Sequence, residues 1–308
     1  MTGTKIPERR FERLDGGFAA AATRGGITRV MVHGYGQVVT ERTGPPEFAE
    51  VARLWEKVTG DDISGGHAVW ADAFTNSRGL ALSYRRGRVL LAGDAAHWHM
   101  PIGGQSLNVA LQDAVNLGWK LAGVINGWAS PQLLDSYHAE RRPVAVRVLD
   151  YVAAQELLLL GGPEIEPLRA VLAELIGLHP ARDHLARVVS NLDDRYPASG
   201  SPLAGRRFPN VRMSTPAGPL TRAALLSSTE PVIVRLGPDG REPPPVTLPG
   251  GYRIPVIHAQ PEPPGAATGA DLMAAAGADL ILIRPDGYVA WAGADPIELN
   301  QVIQQLFG

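Results

Sequence analysis

The sequence predicts an α+β fold, on three observations. Early in the chain, FAAAATR (18–24) and ITRVMVHG (27–34) flank Gly25-Gly26, a hairpin signal between two strand-like runs. In the middle, apolar residues recur at a spacing of three to four over long stretches, the period of helices. From about Ser199 prolines multiply and short apolar runs bounded by turn residues return. Sheet, helical block and second sheet therefore follow one another, which is segregated α+β rather than alternating α/β.

The elements follow in order. After the hairpin, Pro45-Pro46 opens a helix over 47–58, with Phe48, Val51, Leu54 and Val58 on one face and Gly60 closing it. His67 to Phe74 is a further strand candidate. RVLLAG (88–93) reads as a short buried strand. The spacing then predicts a helix from Gln105 to Ile125, with Leu107, Ala110, Leu111, Ala114, Leu117, Leu121 and Ile125 as its apolar stripe. Ser130-Pro131 opens another helix, an N-cap followed by a first-turn proline, which passes Tyr137 and His138 and meets Pro143. Helical texture continues to about Leu192. Four strands are predicted beyond: VIVRLG (232–237), YRIPVIHA (252–259), DLILIRP (279–285) and YVAWAG (288–293). Pro285-Asp286-Gly287 turns between the last two, and Asp295-Pro296-Ile297-Glu298 reads as a capping box opening a final helix. A boundary falls near residue 198.

Composition bounds the partners. The chain has 308 residues, 45% of them apolar, enough for about two domains with a sizeable core. The formal net charge is −2, from 29 basic and 31 acidic residues, so no overall field draws it to nucleic acid or to an anionic membrane. Cysteine is absent, which removes disulfides, thiolate metal sites and dithiol exchange and fits a cytoplasmic protein. The first residues lack the apolar core of a secretory signal, and no apolar run is long enough to span a bilayer.

The densest run of constrained residues is GRVLLAGDAAHWHMPIGGQSLNVALQDAVNLGWK, Gly87 to Lys120. A strand ending in Gly93-Asp94 places a carboxylate where it can accept hydrogen bonds from ligand hydroxyls. An ordinary strand-turn with a solvated Asp94 is the plain alternative. Gly103 and Gly104 allow close backbone approach, and a helix starting near Gln105 offers unpaired N–H groups, a ready anion site. Here the alternative is a glycine-rich loop leading into a helix. His97 and His99 have the spacing of a metal pair, but no third ligand is evident and we assign no metal. Otherwise His97 holds the turn by hydrogen bonds.

This run, followed by LLDSYHAERRPVAVRVL (133–149), resembles the FAD-dependent aromatic hydroxylases of the para-hydroxybenzoate hydroxylase type, and within them the branch acting on aromatic polyketides. The likeness extends upstream through FTNSR (74–78) and YRRGR (84–88), and downstream through LIRPDGYVAW (282–291) into a C-terminal domain that in this branch is thioredoxin-like. It implies an incomplete flavin-monooxygenase fold in three parts. Residues 1–86 would be a partial substrate-binding sheet, 87–198 a flavin-facing strand and helical block, and 199–308 the thioredoxin-like domain. It implies FAD as cofactor, NAD(P)H as reductant and an aromatic polyketide as small-molecule substrate. Asp94, Pro101, Gly103, Gly104, Gln105, Ser106, Leu107 and Asn108 would touch the flavin, the start of the helix directing its dipole at the anionic edge of the reduced ring. Arg78 and His97 would serve catalysis.

Three departures qualify the resemblance. The family opens with a strand, GxGxxG and a helix for the ADP half of FAD. HGYGQVV (33–39) fails that pattern, since position 39 is Val and its surroundings read as sheet. LDGG (14–17) has the letters of the second pyrophosphate motif but no buried run before it. Ser106 stands where the family usually has Gly. Three readings follow: the C-terminal portion of an aromatic polyketide hydroxylase; a flavin-independent enzyme on the same scaffold that cyclises, rearranges or decarboxylates a polyketide, with His97, His99, Asp94 and Arg78 as its groups; or a non-catalytic partner subunit of a complete hydroxylase. In each, RVLLAG without neighbouring strands leaves unpaired backbone groups, so a homo-oligomer or a second chain is expected to cover that edge, unless the chain covers it itself or folds differently there.

Overall fold

The computed structural model describes residues 1–37, 42, 44–198, 200–227, 229–236, 243–261 and 277–308. The chain divides into two compact units that each gather separate stretches: residues 1–79, 99–104 and 147–185 in one, residues 80–98, 105–146 and 186–308 in the other.

The first unit is built on an antiparallel sheet, β1 (Arg9–Leu14), β2 (Gly17–Arg24) and β3 (Ile27–Gly34), in that order. The predicted hairpin forms, with Arg24 opposite Ile27 and Ala19 opposite Val32. Gly25 and Gly26 both take positive φ, as that turn demands. Helix α1 (Phe48–Thr59) packs on one face, and Gly60 ends it in a left-handed cap. Ala19 and Ala21 face Ala52, Trp55 and Val58, so the small strand residues make room for a fully buried indole.

Strand β1 was not predicted, because RRFERL carries no apolar alternation. It pairs with β2, and Arg13 ties it to later residues as well. Arg13 donates to the carbonyl of Leu159 at 2.6 Å and to Glu166 at 2.7 Å. The predicted strand over His67 to Phe74 does not form. His67 makes a single bridge to Thr2, and Val69, Trp70 and Phe74 stand exposed, without a ladder beside them.

The second unit begins with the two-residue strands β5 (Arg85–Arg86) and β6 (Val89–Leu90), which pair with each other; β4 (Gly79–Leu80) precedes them and β7 (His97–Trp98) follows. RVLLAG is thus not the buried strand expected: only Val89–Leu90 is strand, and Val89 is 63% exposed. A strand buried on both faces needs neighbours, and β6 has one two-residue partner.

Helix α2 (Ser106–Ile125) lies where predicted but faces otherwise. Leu107, Leu111 and Ile125 of the predicted stripe are exposed, as is Val115. The buried face carries Val109, Asp113, Asn116, Trp119, Lys120 and Gly123. Helix α3 (Asp135–Leu160) runs on through Pro143, followed by α4 (Glu166–Gly177) and α5 (His179–Val189).

The C-terminal strands form one six-stranded sheet, β13-β12-β10-β11-β8-β9. Its strands are β8 (Met213–Thr215), β9 (Gly218–Leu220), β10 (Val232–Leu236), β11 (Val256–Pro261), β12 (Leu280–Ile283) and β13 (Val289–Gly293), with the short helix α6 (Arg222–Leu225) before β10. β10 and β11 are parallel and the other pairs antiparallel. Alternate residues serve two cores. Ile233, Leu280 and Leu282 meet α7 (Pro296–Phe307) and the stacked Trp119 and Trp128, while Val234, Ile281 and Ile283 meet Phe208 and Met213. Asp295 caps α7 by accepting from the Ile297 N–H at 2.8 Å.

Candidate functional site

The Gly93–Ala95 turn sits against α2. Gly93 is buried with φ +58°, and a Cβ there would lie 3.2 Å from the Ala110 Cβ. Only glycine combines that dihedral with that approach. The next residue, Asp94, is exposed, as are Leu107 and Asn108 in the first turn of α2. The first-turn N–H groups of a helix have no acceptor within it. A carboxylate and a helix start are thus presented together on one unit.

Gln105 differs from its neighbours. The residue is turned inward, 1% exposed, with Nε2 donating to the carbonyl of Val188 at 3.3 Å. Ser106 is half-buried. In the other unit, Gly103 and Gly104 take φ of +77° and +65° and are exposed. A Cβ on Gly103 would strike the Gln155 amide at 2.5 Å, whereas one on Gly104 would meet nothing. Pro101 and Arg78 are exposed, and His99 donates from Nδ1 to the carbonyl of Met100 at 2.8 Å. Among the described residues no group of three or more His, Asp or Glu could hold a metal ion.

His97 is 2% exposed, and its Nε2 lies 2.7 Å from Asp113 Oδ2. That is the turn-holding arrangement. The same oxygen accepts from the Gly93 N–H at 3.1 Å, and Oδ1 accepts from Arg141 Nε at 2.7 Å. Burial alone would push the Asp113 carboxyl up; the His97 hydrogen bond and the Arg141 charge outweigh it and hold it below the usual carboxylate range.

A second buried cluster lies further along the same face of α2. Arg284 donates to both oxygens of Glu140, at 2.7 and 2.8 Å, and to Asp286 at 2.5 Å. Lys120 and Asn116 also donate to Glu140, at 2.8 and 2.7 Å, and Trp119 Nε1 donates to Asp286 at 3.0 Å. Burial pushes Lys120 down to about 8, the nearby Arg284 charge adding to the effect. Burial opposes ionisation of Glu140, but Arg284 and Lys120 prevail and bring it down to about 2.

The sequence names His97 of the first cluster, but no motif marks Asp113 and Arg141 or the residues of the second cluster as partners. The signal is there: Asp113, Asn116 and Lys120 are spaced by three and four residues, a polar helical stripe beside the apolar one.

Within one unit, an exposed carboxylate on a glycine turn beside a helix start has the chemistry to accept from hydroxyls and to face an anionic group, as the ring and ribityl half of FAD would require. For the ADP half the described residues offer no strand, glycine turn and helix in sequence; residues 38 and 39 of HGYGQVV lie outside them, and 33–37 end β3 and turn.

The chain has relatives among known proteins. Residues 6–152 match a model for an FAD binding domain, and 201–308 one for the aromatic-ring hydroxylase C-terminal region. A 12-dehydrotetracycline 5-monooxygenase/anhydrotetracycline 6-monooxygenase of Streptomyces rimosus is 37% identical, over 90% of this chain and 54% of its own. A dialkyldecalin synthase of Streptomyces rugosporus is 35% identical, over 85% and 50%. The chain thus spans about half the length of the curated relatives it matches. The crystal structure of CabE, an aromatic hydroxylase from angucycline biosynthesis, superposes with a TM-score of 0.85 at 39% identity, over 100% of this chain and 63% of that one. The chain belongs to the FAD-dependent aromatic hydroxylases of the para-hydroxybenzoate hydroxylase type.

Proposed function

We propose that this chain is the flavin-facing and substrate-facing portion of an FAD-dependent monooxygenase that hydroxylates an aromatic polyketide. One observation carries the reading: Gly93 packs on Ala110, so Asp94 and the first turn of α2 are exposed side by side. When bound, FAD supplies the oxygen chemistry, with NAD(P)H as reductant. Asp94 accepts hydrogen bonds from the ribityl hydroxyls. The amides of Leu107 and Asn108, with the helix dipole, stabilise negative charge on the ring. Pro101, Gly103 and Gly104 carry backbone that a planar ring can approach. Gln105, turned inward, backs the turn, and Ser106 narrows it where the family has glycine. Arg78 is assigned to the substrate side. Functionally we divide the chain into 1–86, 87–198 and 199–308, as the sequence indicates.

The ADP half of FAD then needs a dinucleotide-binding portion, on the same polypeptide or another. The open backbone of β6 at Val89 and the exposed Leu107, Leu111 and Val115 of α2 are where that portion, or a second copy, would pack. Purified and desalted, the 308-residue chain is expected to be colourless, and to hold FAD absorbance in the blue only with the first portion of a related hydroxylase. Stoichiometric FAD on this chain alone would reject the need for that portion.

The dialkyldecalin synthase favours a second reading, cyclisation of a polyketide on the same scaffold. Oxygen separates the two. Hydroxylation stops under anaerobic conditions, whereas cyclisation continues.

A further inference from the structure

We propose that Asp113 is a positioning residue for the turn that carries Asp94, acting through Gly93 and His97. The proposal rests on the flavin reading above and names the residue that aims its carboxylate. Asp94 lies between two anchored points, one residue after Gly93 and three before His97. Both anchors end on a single oxygen, Asp113 Oδ2, at 3.1 Å from the Gly93 N–H and 2.7 Å from His97 Nε2. The second oxygen is tied to α3 through Arg141 Nε at 2.7 Å.

Arg141 is itself immobilised. It donates to Gln112 Oε1 at 3.3 Å, to the Tyr196 hydroxyl at 3.2 Å and to the Val109 carbonyl at 3.3 Å, and Asp194 lies 3.8 Å away. Asp113 and Arg141 are both fully buried. The approach to the turn is gripped too: the Tyr137 hydroxyl donates to the Leu91 carbonyl at 2.8 Å, and the Tyr84 ring lies 6.3 Å from that of His97.

A buried ion pair is a poor source of stability, because desolvation offsets most of the attraction. It is a good source of geometry. Three donors converge on one carboxylate, and an asparagine there has a single acceptor oxygen and would turn an NH₂ toward a donor. Because an ionised Asp113 is acceptor-only, the His97 ring donates to it from Nε2, and that bond fixes the orientation of the ring.

The test is Asp113→Asn in the full chain, followed by hydrogen exchange. Exchange of the Gly93–His97 amides is expected to rise about tenfold or more while amides of β10 and β12 keep their protection, since a local opening leaves the global one unchanged. The hydrogen-bonded Nε2–H of His97 should leave its downfield NMR position. Binding of FMN, followed by flavin fluorescence, should weaken about tenfold, and Asp94→Ala should add little on top, as expected of residues acting as a unit. Should Asp113→Asn fail to fold, His97→Leu removes one anchor alone and should release residues 95–97 while Gly93 stays protected. Equal acceleration across β10 and β12, or an unchanged turn in either variant, would overturn the proposal. If wild type binds no FMN, the flavin reading fails while the exchange result still decides whether Asp113 holds the turn.

Discussion

At the residue scale, the buried charges decide more than the exposed ones. Glu140 has a folded-state pKa of about 2, down from 4.5, so its contribution is complete above the unfolded value and is lost as pH falls from 4.5 toward 2. That shift corresponds to at most about 3 kcal/mol. Glu140→Gln should therefore flatten the acid limb of a stability–pH curve, measured by urea unfolding. It should also lower stability at neutral pH, because Arg284 and Lys120 lose their partner. Glycine makes the second residue-level prediction. A Cβ on Gly123 would lie 2.9 Å from the Trp128 ring, which is stacked on Trp119 and packed against Phe307. Gly123→Ala should cost about 1–3 kcal/mol in the same measurement, since a rigid indole in a filled core cannot yield cheaply.

At the element scale, α2 is the informative case. Its position and length were legible from spacing alone, as were the first hairpin, α1, the last helix and most of the C-terminal strands. Which way α2 faces was not. The apolar stripe of Leu107, Leu111 and Ile125 reads as a core face, yet it is exposed, while Asp113, Asn116 and Lys120 point inward. Periodicity reports that a face is apolar but does not say which neighbour will cover it. RVLLAG failed for the related reason that a strand exists only with partners, and β1 because RRFERL pairs with β2 without apolar alternation. Asp94, Gly103 and Gly104 stand in a recognisable motif, whereas Asp113 and Arg141, 28 residues apart, meet only in the folded chain. A double variant, Leu111→Lys with Val115→Lys, should leave stability within about 0.5 kcal/mol of wild type, as surface changes do. It should abolish association with the dinucleotide-binding portion of a related hydroxylase, measured by analytical ultracentrifugation.

At the scale of the whole molecule, two facts meet. The chain belongs to a flavin-dependent hydroxylase family, and it spans about half the length of its curated relatives. Its central claim is that the Gly93–Ala95 turn and the start of α2 hold the ring and ribityl of a flavin without the ADP half. Titrating the isotopically labelled chain with FMN and following backbone amides by NMR tests this directly. The expected shifts are concentrated at residues 93–97 and 105–109, and they are lost in Asp94→Ala. Shifts confined to other parts of the chain, or an Asp94→Ala response identical to wild type, would contradict it.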